Sequence, residues 1–386
     1  MVSAVAQESD AVGAVIAAVA EIAGPLRDRG SEIERDRRLP ADVVAGLRQA
    51  GVFRLWMPRE LGGLEAGPEA VLRVVETLSA ADGSTGWCAA TGLASNVVGA
   101  FVPELGARTL YPTGQEMAGG ALMPGGRAIP QPDGSYLVTG RWSFGSGVQH
   151  CDWVVGGAVV AADGPPEVRA VVMPASQIEF LDDWDVVGLQ GTASVDFRVE
   201  GIRVPAEHTL APDRVSPWPA GPMWRIPLTS LLFPVLAAVP LGLARRAVSE
   251  LRELAQVKTP FRSGRLLADR EVVQAGLARA TALIESGHHY LQVGMQALWQ
   301  AGAAGQPPTV EQRAQARLAA VHATAGAAEA VLLCYRNAGS TALHQSNPLQ
   351  RLLRDVNAAT QHYGISAVGY EMAGRALLGM EPDPGL

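Results

Sequence analysis

Residues 136–150 read YLVTGRWSFGSGVQH, a β-branched and aromatic run that ends in a glycine-rich loop. Valine, threonine and aromatic residues favour an extended chain, whereas glycine permits sharp bends. The preceding residues 131–135, QPDGS, have the composition of a hairpin turn. Other short β-branched runs lie at 153–155, 168–173 and 195–199. These runs predict a β domain, to which we assign residues 119–217.

Helical spacing of apolar residues flanks the β domain on both sides. Before it, Val43, Val44 and Leu47 share one helical face. After it come four long alanine-rich segments at 241–257, 270–299, 309–338 and 348–378, which favour an antiparallel bundle. We therefore predict an α+β fold with an N-terminal helical domain (1–118), the central β domain (119–217) and a C-terminal four-helix bundle (218–386). The segregated order argues against an alternating parallel sheet.

Composition excludes several functional classes. Of 386 residues, 48% are apolar and 18% are charged, so the chain is not disordered or fibrous. The formal net charge is −7, with no basic tail. Because nucleic acids and anionic membranes recruit basic patches, we expect neither as a partner.

The sequence also predicts a cytoplasmic protein. Its three cysteines are scattered and form no CxxC pair, which fits a reducing compartment. The alanine-rich segment 1–24 has acidic residues but lacks the basic start of a secretory signal. The longest apolar run, 230–244, is interrupted by Pro234 and Pro240 and is too short to span a bilayer.

Several well-known catalytic and nucleotide-binding motifs are absent from the sequence. It contains no GxGxxG, GxxxxGK[ST], HExxH or GxSxG. We therefore expect no NAD in a Rossmann pocket. His288 and His289 are adjacent, which is the wrong spacing for chelation from one helix, and we expect no metal site there.

Three segments combine polar and aromatic side chains. In 140–150, small hydroxyls and an indole can form a wall for a planar cofactor, although Trp142 can equally belong to the core of a β-bend. In 188–194, Thr192 and Ser194 can bind a ligand or belong to a simple turn. In 344–364, Arg351, Arg354 and Asp355 can pair as surface ions, and His362 can be a helix-terminal histidine.

Taken together, these segments resemble the flavin-dependent monooxygenases that share the acyl-CoA dehydrogenase fold. That group includes the oxygenase component of p-hydroxyphenylacetate hydroxylase and dibenzothiophene monooxygenase. The resemblance covers nearly the whole chain. Its motifs are Leu39-Pro40, Ala50-Gly51, PRELGG at 58–63, Glu76, DGSTGW at 82–87, residues 142–153, GLQGTAS at 188–194, Val204-Pro205, and PLQR at 348–351 through to His362.

The resemblance implies the same three-domain architecture, with flavin bound between the β domain and the bundle. It implies that Trp142, Ser143 and Ser146 line the isoalloxazine, with Thr192 and Ser194 opposite. Arg262 resembles the family's phosphate-binding arginine. A neighbouring subunit of a dimer or tetramer is expected to complete the site.

The family contains both oxygenases and dehydrogenases, and the site residues favour an oxygenase. Dehydrogenases of this fold need a carboxylate base, but residues 361–364 read QHYG, and Glu371 lies two helical turns farther on. Resemblance implies that His362 and Ser146 stabilise a flavin 4a-hydroperoxide in a dry cavity. His362 can also deprotonate a phenol, because its ordinary pKa is about 6.5.

We therefore predict hydroxylation of an aromatic substrate, whether phenolic, indolic or polycyclic. The expected cofactors are reduced flavin (FADH2 or FMNH2) and molecular oxygen, with reduced flavin supplied by a separate NAD(P)H:flavin reductase. The residues expected around the substrate are Trp87, Asn96, His150 and Tyr363. The alternatives are a dehydrogenase that oxidises an acyl thioester with Glu371 as base, and a non-enzymatic flavin-binding or scaffold protein.

Overall fold

Helices occupy both ends of the chain and strands its middle, as the sequence predicts. The computed structural model describes residues 2–161, 167–211, 217–383 and 385–386. The helices are α1 (Val2–Leu26), α2 (Gly30–Asp36), α3 (Ala41–Gln49), α4 (Pro68–Ala81), α5 (Gly83–Ser95), α6 (Val98–Phe101), α7 (Glu104–Leu110), α8 (Leu228–Leu236), α9 (Ala238–Val257), α10 (Glu271–Ala303), α11 (Val310–Ala338), α12 (Pro348–Ala359) and α13 (Val368–Leu377). The strands are β1 (Ala118–Pro130), β2 (Tyr136–Gly145), β3 (Trp153–Val160), β4 (Glu167–Pro174), β5 (Glu179–Phe180), β6 (Val195–Val204) and β7 (Thr209–Leu210).

The α+β architecture of the prediction is confirmed, whereas its domain boundaries stay predictions. The first strand begins at Ala118, next to the predicted boundary. The boundary after residue 217 adjoins residues 212–216, which lie outside the described part of the chain.

The strands form one sheet in the order β5-β6-β2-β1-β3-β4-β7. The pairs are antiparallel except for β1 with β3. The QPDGS stretch forms the β1–β2 turn, where Gly134 has a φ of +83° that favours glycine. Near its end, β2 bulges: Trp142 pairs with Phe197 and Gly145 with Val195, so Ser143 and Phe144 lie opposite a single residue. The bulge sets the direction of the loop that follows.

The bundle is built on α9, α10 and α11, which pack closely because small residues line their contacts. A Cβ atom on Gly287 would lie 3.0 Å from the Cα of Ala323, and one on Gly294 would lie 3.0 Å from the Cα of Ala316. The prediction of one unbroken fourth helix over 348–378 is wrong. The chain breaks between α12 and α13, and Gly364 packs in this break, where a Cβ would lie 2.6 Å from the ring of Phe233.

A charged network joins the N-terminal domain to the bundle. Glu76 of α4, which is buried, accepts from Arg245 Nε of α9 at 2.9 Å and contacts His288 Nδ1 of α10 at 2.6 Å. The hydrogen bond to Glu76 raises the pKa of His288. His288 is therefore an ion-pair partner between two domains. Among the described residues, no group of three His, Cys, Asp or Glu side chains is arranged to hold a metal ion.

Within the described part of the chain, two helical stretches of the bundle are long and apolar enough to cross a bilayer by composition. They are Leu228–Val257 and Val310–Leu343, and their most apolar windows are 72% and 56% buried inside the protein. Such burial is expected of core helices in a folded domain.

Candidate active site

Two loops meet at the carboxyl end of β2. The first follows the β2 bulge, where Phe144 adopts a φ of +64° and Gly147 a φ of +67°. The second is residues 188–194. They are joined by a hydrogen bond from the backbone N–H of Gly147 to the carbonyl of Thr192, at 2.9 Å. This contact brings the hydroxyls of the two predicted segments together.

The hydroxyls form a short chain. Ser146 Oγ lies 2.7 Å from Ser194 Oγ, which lies 2.7 Å from Thr192 Oγ1. Trp87 of α5 donates its indole N–H to Ser146 Oγ at 3.0 Å. Thr192 and Ser194 are 1% and 4% exposed, whereas Ser146 is partly exposed. The two buried hydroxyls therefore lie behind the more exposed Ser146, and their direct contact with the flavin stays a prediction.

His362 lies in the break between α12 and α13, close to the row of hydroxyls. Its ring packs edge-on against Trp87, with centroids 5.4 Å apart, and against Phe233 at 6.3 Å. Its Nδ1 accepts from the backbone N–H of Gly364 at 3.0 Å, so a neutral ring carries its proton on Nε2. Burial, assisted by Arg317, lowers the pKa of His362 to about 4. The residue is thus a neutral hydrogen-bond donor at physiological pH.

Arg317 of α11 is a buried cation behind His362. It is 4% exposed, and its guanidinium lies 4.6 Å from the ring centroid of Phe233 and 5.5 Å from that of Tyr363. It donates to the carbonyl of Tyr363 at 3.2 Å. Aromatic faces and a backbone carbonyl therefore stabilise its charge, which disfavours a second positive charge on His362.

Replacing Arg317 with methionine tests this electrostatic effect. We expect the pKa of His362 to rise from about 4 toward its ordinary value of about 6.5, and to stay below it because burial is the larger cause. NMR titration of the His362 Cε1–H signal measures the change. Arg313→Met, one turn earlier on α11, is the matched control, and equal rises in both variants would contradict the assignment.

Two predicted site residues lie in the interior instead. Trp142 is 2% exposed, stacks on Phe197 with centroids 5.2 Å apart, and donates to the carbonyl of Gly157 at 2.6 Å. It therefore lies in the core of the β domain, one of the two positions that the sequence allowed, and its contact with a flavin stays a prediction. Asn96 is fully buried; it donates to the carbonyl of Phe53 and accepts from the N–H of Ala118 at 2.7 Å. Its amide tethers the helical domain to β1, and the expected substrate contact stays a prediction.

The other predicted residues lie in several places. His150 shares a cavity of about 10 Å³ with Ser146, Phe53 and Met117, and its Nε2 is buried without a partner. Burial, with Arg38 and Arg48, lowers the pKa of His150 to about 4.

Ser143 is exposed on the β2 bulge, and Tyr363 is 50% exposed beside Phe233. Arg262 is exposed on the turn between α9 and α10, where it lies 5.3 Å from the ring centroid of Phe261. Within one chain it has no contact with the Ser146 chain of hydroxyls.

Sequence reasoning missed three residues of this region. Phe144 is 71% exposed on the bulge, edge-on to Trp184, and lies two positions before Ser146. An aromatic side chain in a glycine-rich loop was the available signal. The sequence gave no signal for Phe233 or Arg317, because each lies in a uniformly helical segment far from the motif loops.

Comparisons with known proteins agree with this architecture. Residues 13–109 match the family described as acyl-CoA dehydrogenase, N-terminal domain, and residues 234–367 match acyl-CoA dehydrogenase, C-terminal domain. The chain is 33% identical to indole-3-acetate monooxygenase of Pseudomonas putida, covering 93% of each chain. It is 29% identical to the flavin-dependent monooxygenase oxygenase subunit HsaA of Mycobacterium tuberculosis, covering 92% of each. The crystal structure of 3-HSA hydroxylase from Rhodococcus sp. RHA1 superposes with a TM-score of 0.90, at 27% identity, covering 96% of this chain and 98% of the other.

The fold is that of acyl-CoA dehydrogenases, and the relatives are oxygenases. The chain belongs to the flavin-dependent monooxygenases that share the acyl-CoA dehydrogenase fold. It is an enzyme that depends on flavin, and these findings favour the monooxygenase interpretation over the acyl thioester dehydrogenase. Glu371, the base that the dehydrogenase alternative invoked, is exposed on α13.

Proposed function

We propose that this enzyme hydroxylates a small indolic substrate with reduced flavin and molecular oxygen. The observation that carries the proposal is that Trp87 contacts both Ser146 and His362, with His362 held as a neutral Nε2–H donor. We place the ligands in the space beside these three residues, which we call the cleft. Relatives named indole-3-acetate monooxygenase support an indolic substrate.

The residues of the cleft fit a flavin. Phe144 exposes an aromatic ring on a backbone held in the left-handed region, next to the partly exposed hydroxyl of Ser146. Phe144, Ser143 and Ser146 would hold the ring system, and Arg262 of a neighbouring subunit would bind a phosphate. When bound, the reduced flavin supplies the electrons that activate oxygen.

The protein's own side chains would supply a hydrogen-bond donor and would exclude water from the cleft. His362 would donate from Nε2 to the oxygen that the bound flavin activates, and the rings of Trp87 and Phe233 that pack against it would exclude water. Trp87 and Tyr363 border the space that we assign to the aromatic substrate, with His150 behind Ser146.

An indole suits this histidine better than a phenol does. Activating a phenol requires a base, but His362 has its Nδ1 occupied and a pKa lowered to about 4. An indole is electron-rich without losing a proton. The earlier expectation that His362 deprotonates a phenol is therefore not part of the proposal.

The partners follow from the same class of enzyme. We propose a separate NAD(P)H:flavin reductase as the source of reduced flavin, since relatives are named as oxygenase subunits or components. We also propose a homo-oligomer, a dimer or tetramer, in the cytoplasm, with neither nucleic acid nor membrane as a partner. FADH2 and FMNH2 are both candidates.

The test supplies reduced FMN or FAD from an unrelated reductase, together with 18O2. Indole-3-acetate, indole, resorcinol and butyryl-CoA are compared as substrates. We expect one 18O atom in the product of an indolic substrate, detected by mass spectrometry. Bleaching of oxidised flavin by butyryl-CoA without oxygen would support the dehydrogenase instead, and no product with any substrate would support the scaffold alternative.

A further inference from the structure

The hydroxyl chain beside the cleft has a definite end. Thr192 Oγ1 donates to the backbone carbonyl of Leu189 at 2.8 Å, and a carbonyl can only accept. At the other end, Trp87 can only donate, because an indole N–H has no acceptor. Between these ends lie Ser194 and Ser146.

These two ends fix the direction of every hydrogen bond between them. The single proton of Thr192 goes to Leu189, so Ser194 must donate to Thr192. The proton of Ser194 is then committed, so Ser146 must donate to Ser194. Ser146 also accepts from Trp87, and one lone pair on its oxygen remains unused.

We propose that Thr192 and Ser194 are positioning residues that hold the Ser146 proton away from the cleft. Ser146 would then offer a ligand in the cleft only an oxygen lone pair, which favours a ligand group that carries a proton. N5 of a reduced flavin carries a proton, whereas N5 of an oxidised flavin offers a lone pair. The row of hydroxyls formed by Thr192, Ser194 and Ser146 therefore favours binding of reduced over oxidised flavin. This inference rests on the proposed function, since it takes flavin as the ligand.

The backbone around the chain supports a positioning role. Leu189 and Ala193 have φ values of +52° and +43°, which side-chain-bearing residues rarely adopt. The backbone N–H of Leu189 is held by buried Asp355 of α12 at 2.7 Å. Strained backbone of this kind persists only where the surrounding structure holds it, and here a helix of the bundle holds the turn through Asp355.

The test measures dissociation constants for reduced and oxidised FMN, by anaerobic titration of the full-length protein. In Ser194→Ala, the Ser146 proton is released and can turn toward an oxidised flavin. We expect the preference for reduced over oxidised FMN to fall about fivefold, chiefly through tighter binding of the oxidised form. Thr192→Val is expected to behave in the same way, because Ser194 loses its acceptor.

Two further variants separate this effect from a folding defect. Thr192→Ser keeps the hydroxyl and should retain the parent preference, and so should Thr77→Val, whose hydroxyl donates to the carbonyl of Arg73 on α4. An unchanged preference in Ser194→Ala, or equal weakening of both forms, would overturn the inference while leaving the proposed function intact. If the unsubstituted protein binds neither form of FMN or FAD, the proposed function itself fails.

Discussion

The variant His362→Ala is expected to form hydroxylated product about 100-fold more slowly than the parent enzyme. Removing a single preorganised donor from a water-excluded site typically has an effect of this size. The ring also fills space between Trp87 and Phe233, so its loss admits water to the cleft. Oxygen consumption is expected to continue, with hydrogen peroxide replacing product. The measurement is product and peroxide formed per reduced flavin consumed.

His344→Ala is the matched control, because His344 is exposed in the same C-terminal region. It should retain the parent ratio of product to peroxide. His362→Ala should still bind flavin, since the residue is not among those assigned to hold it. Unaltered coupling in His362→Ala would remove this residue from the mechanism.

Periodicity was sufficient to predict the order of the domains, because each domain is long and uniform in pattern. It failed where a single contact decides the structure. The stretch after residue 348 has helical spacing throughout, yet the chain breaks where Gly364 packs against Phe233. Only the packing of a distant helix reveals this break, which is also what places His362 beside Trp87.

The candidate site residues that the sequence could indicate are those that lie in unusual local sequence. Ser146, Thr192 and Ser194 lie in glycine-rich loops, and hydroxyls in such loops are recognisable candidates. Trp142 lies in the same loop but faces the core, because residues on a strand alternate between faces and a bulge shifts that alternation. The role of Arg317 could not be predicted, because nothing in the sequence of α11 indicates which of its arginines is buried.

Asp355 shows the same limit in another way. Because Asp355 lies near Arg351 and Arg354 on one helix, the sequence allowed the prediction that they form surface ion pairs. In the structure it is 4% exposed and accepts from the backbone of Leu189, whereas Arg354 bonds to Glu34 and Gln350. The contact that decides its role joins residues far apart in the sequence.

Asp355→Asn is expected to make the protein more stable above pH 7. Burial, with the nearby carboxyl of Asp82 adding to it, raises the pKa of Asp355 to about 7 from an ordinary value of 3.8. Between these values the folded state keeps a proton that the unfolded state has released, so the carboxyl destabilises the folded state progressively from about pH 4, and the loss is complete slightly above pH 7. At about 1.4 kcal/mol per pKa unit, the difference is as much as about 4 kcal/mol.

An asparagine at this position keeps an oxygen that can accept from Leu189 and does not titrate. The difference in stability from the parent should therefore be near zero at pH 4, grow to about pH 7 and level off by pH 8, as measured by urea unfolding at each pH. Exposed Asp182→Asn is the control and should show no such trend. Parallel pH profiles for Asp355→Asn and the parent would show that the carboxyl keeps an ordinary titration. Because the asparagine still accepts from Leu189 and holds the turn that begins there, the variant should also retain the preference for reduced FMN. This result would separate the effect of the Asp355 charge on stability from the effect of its hydrogen bond on the turn.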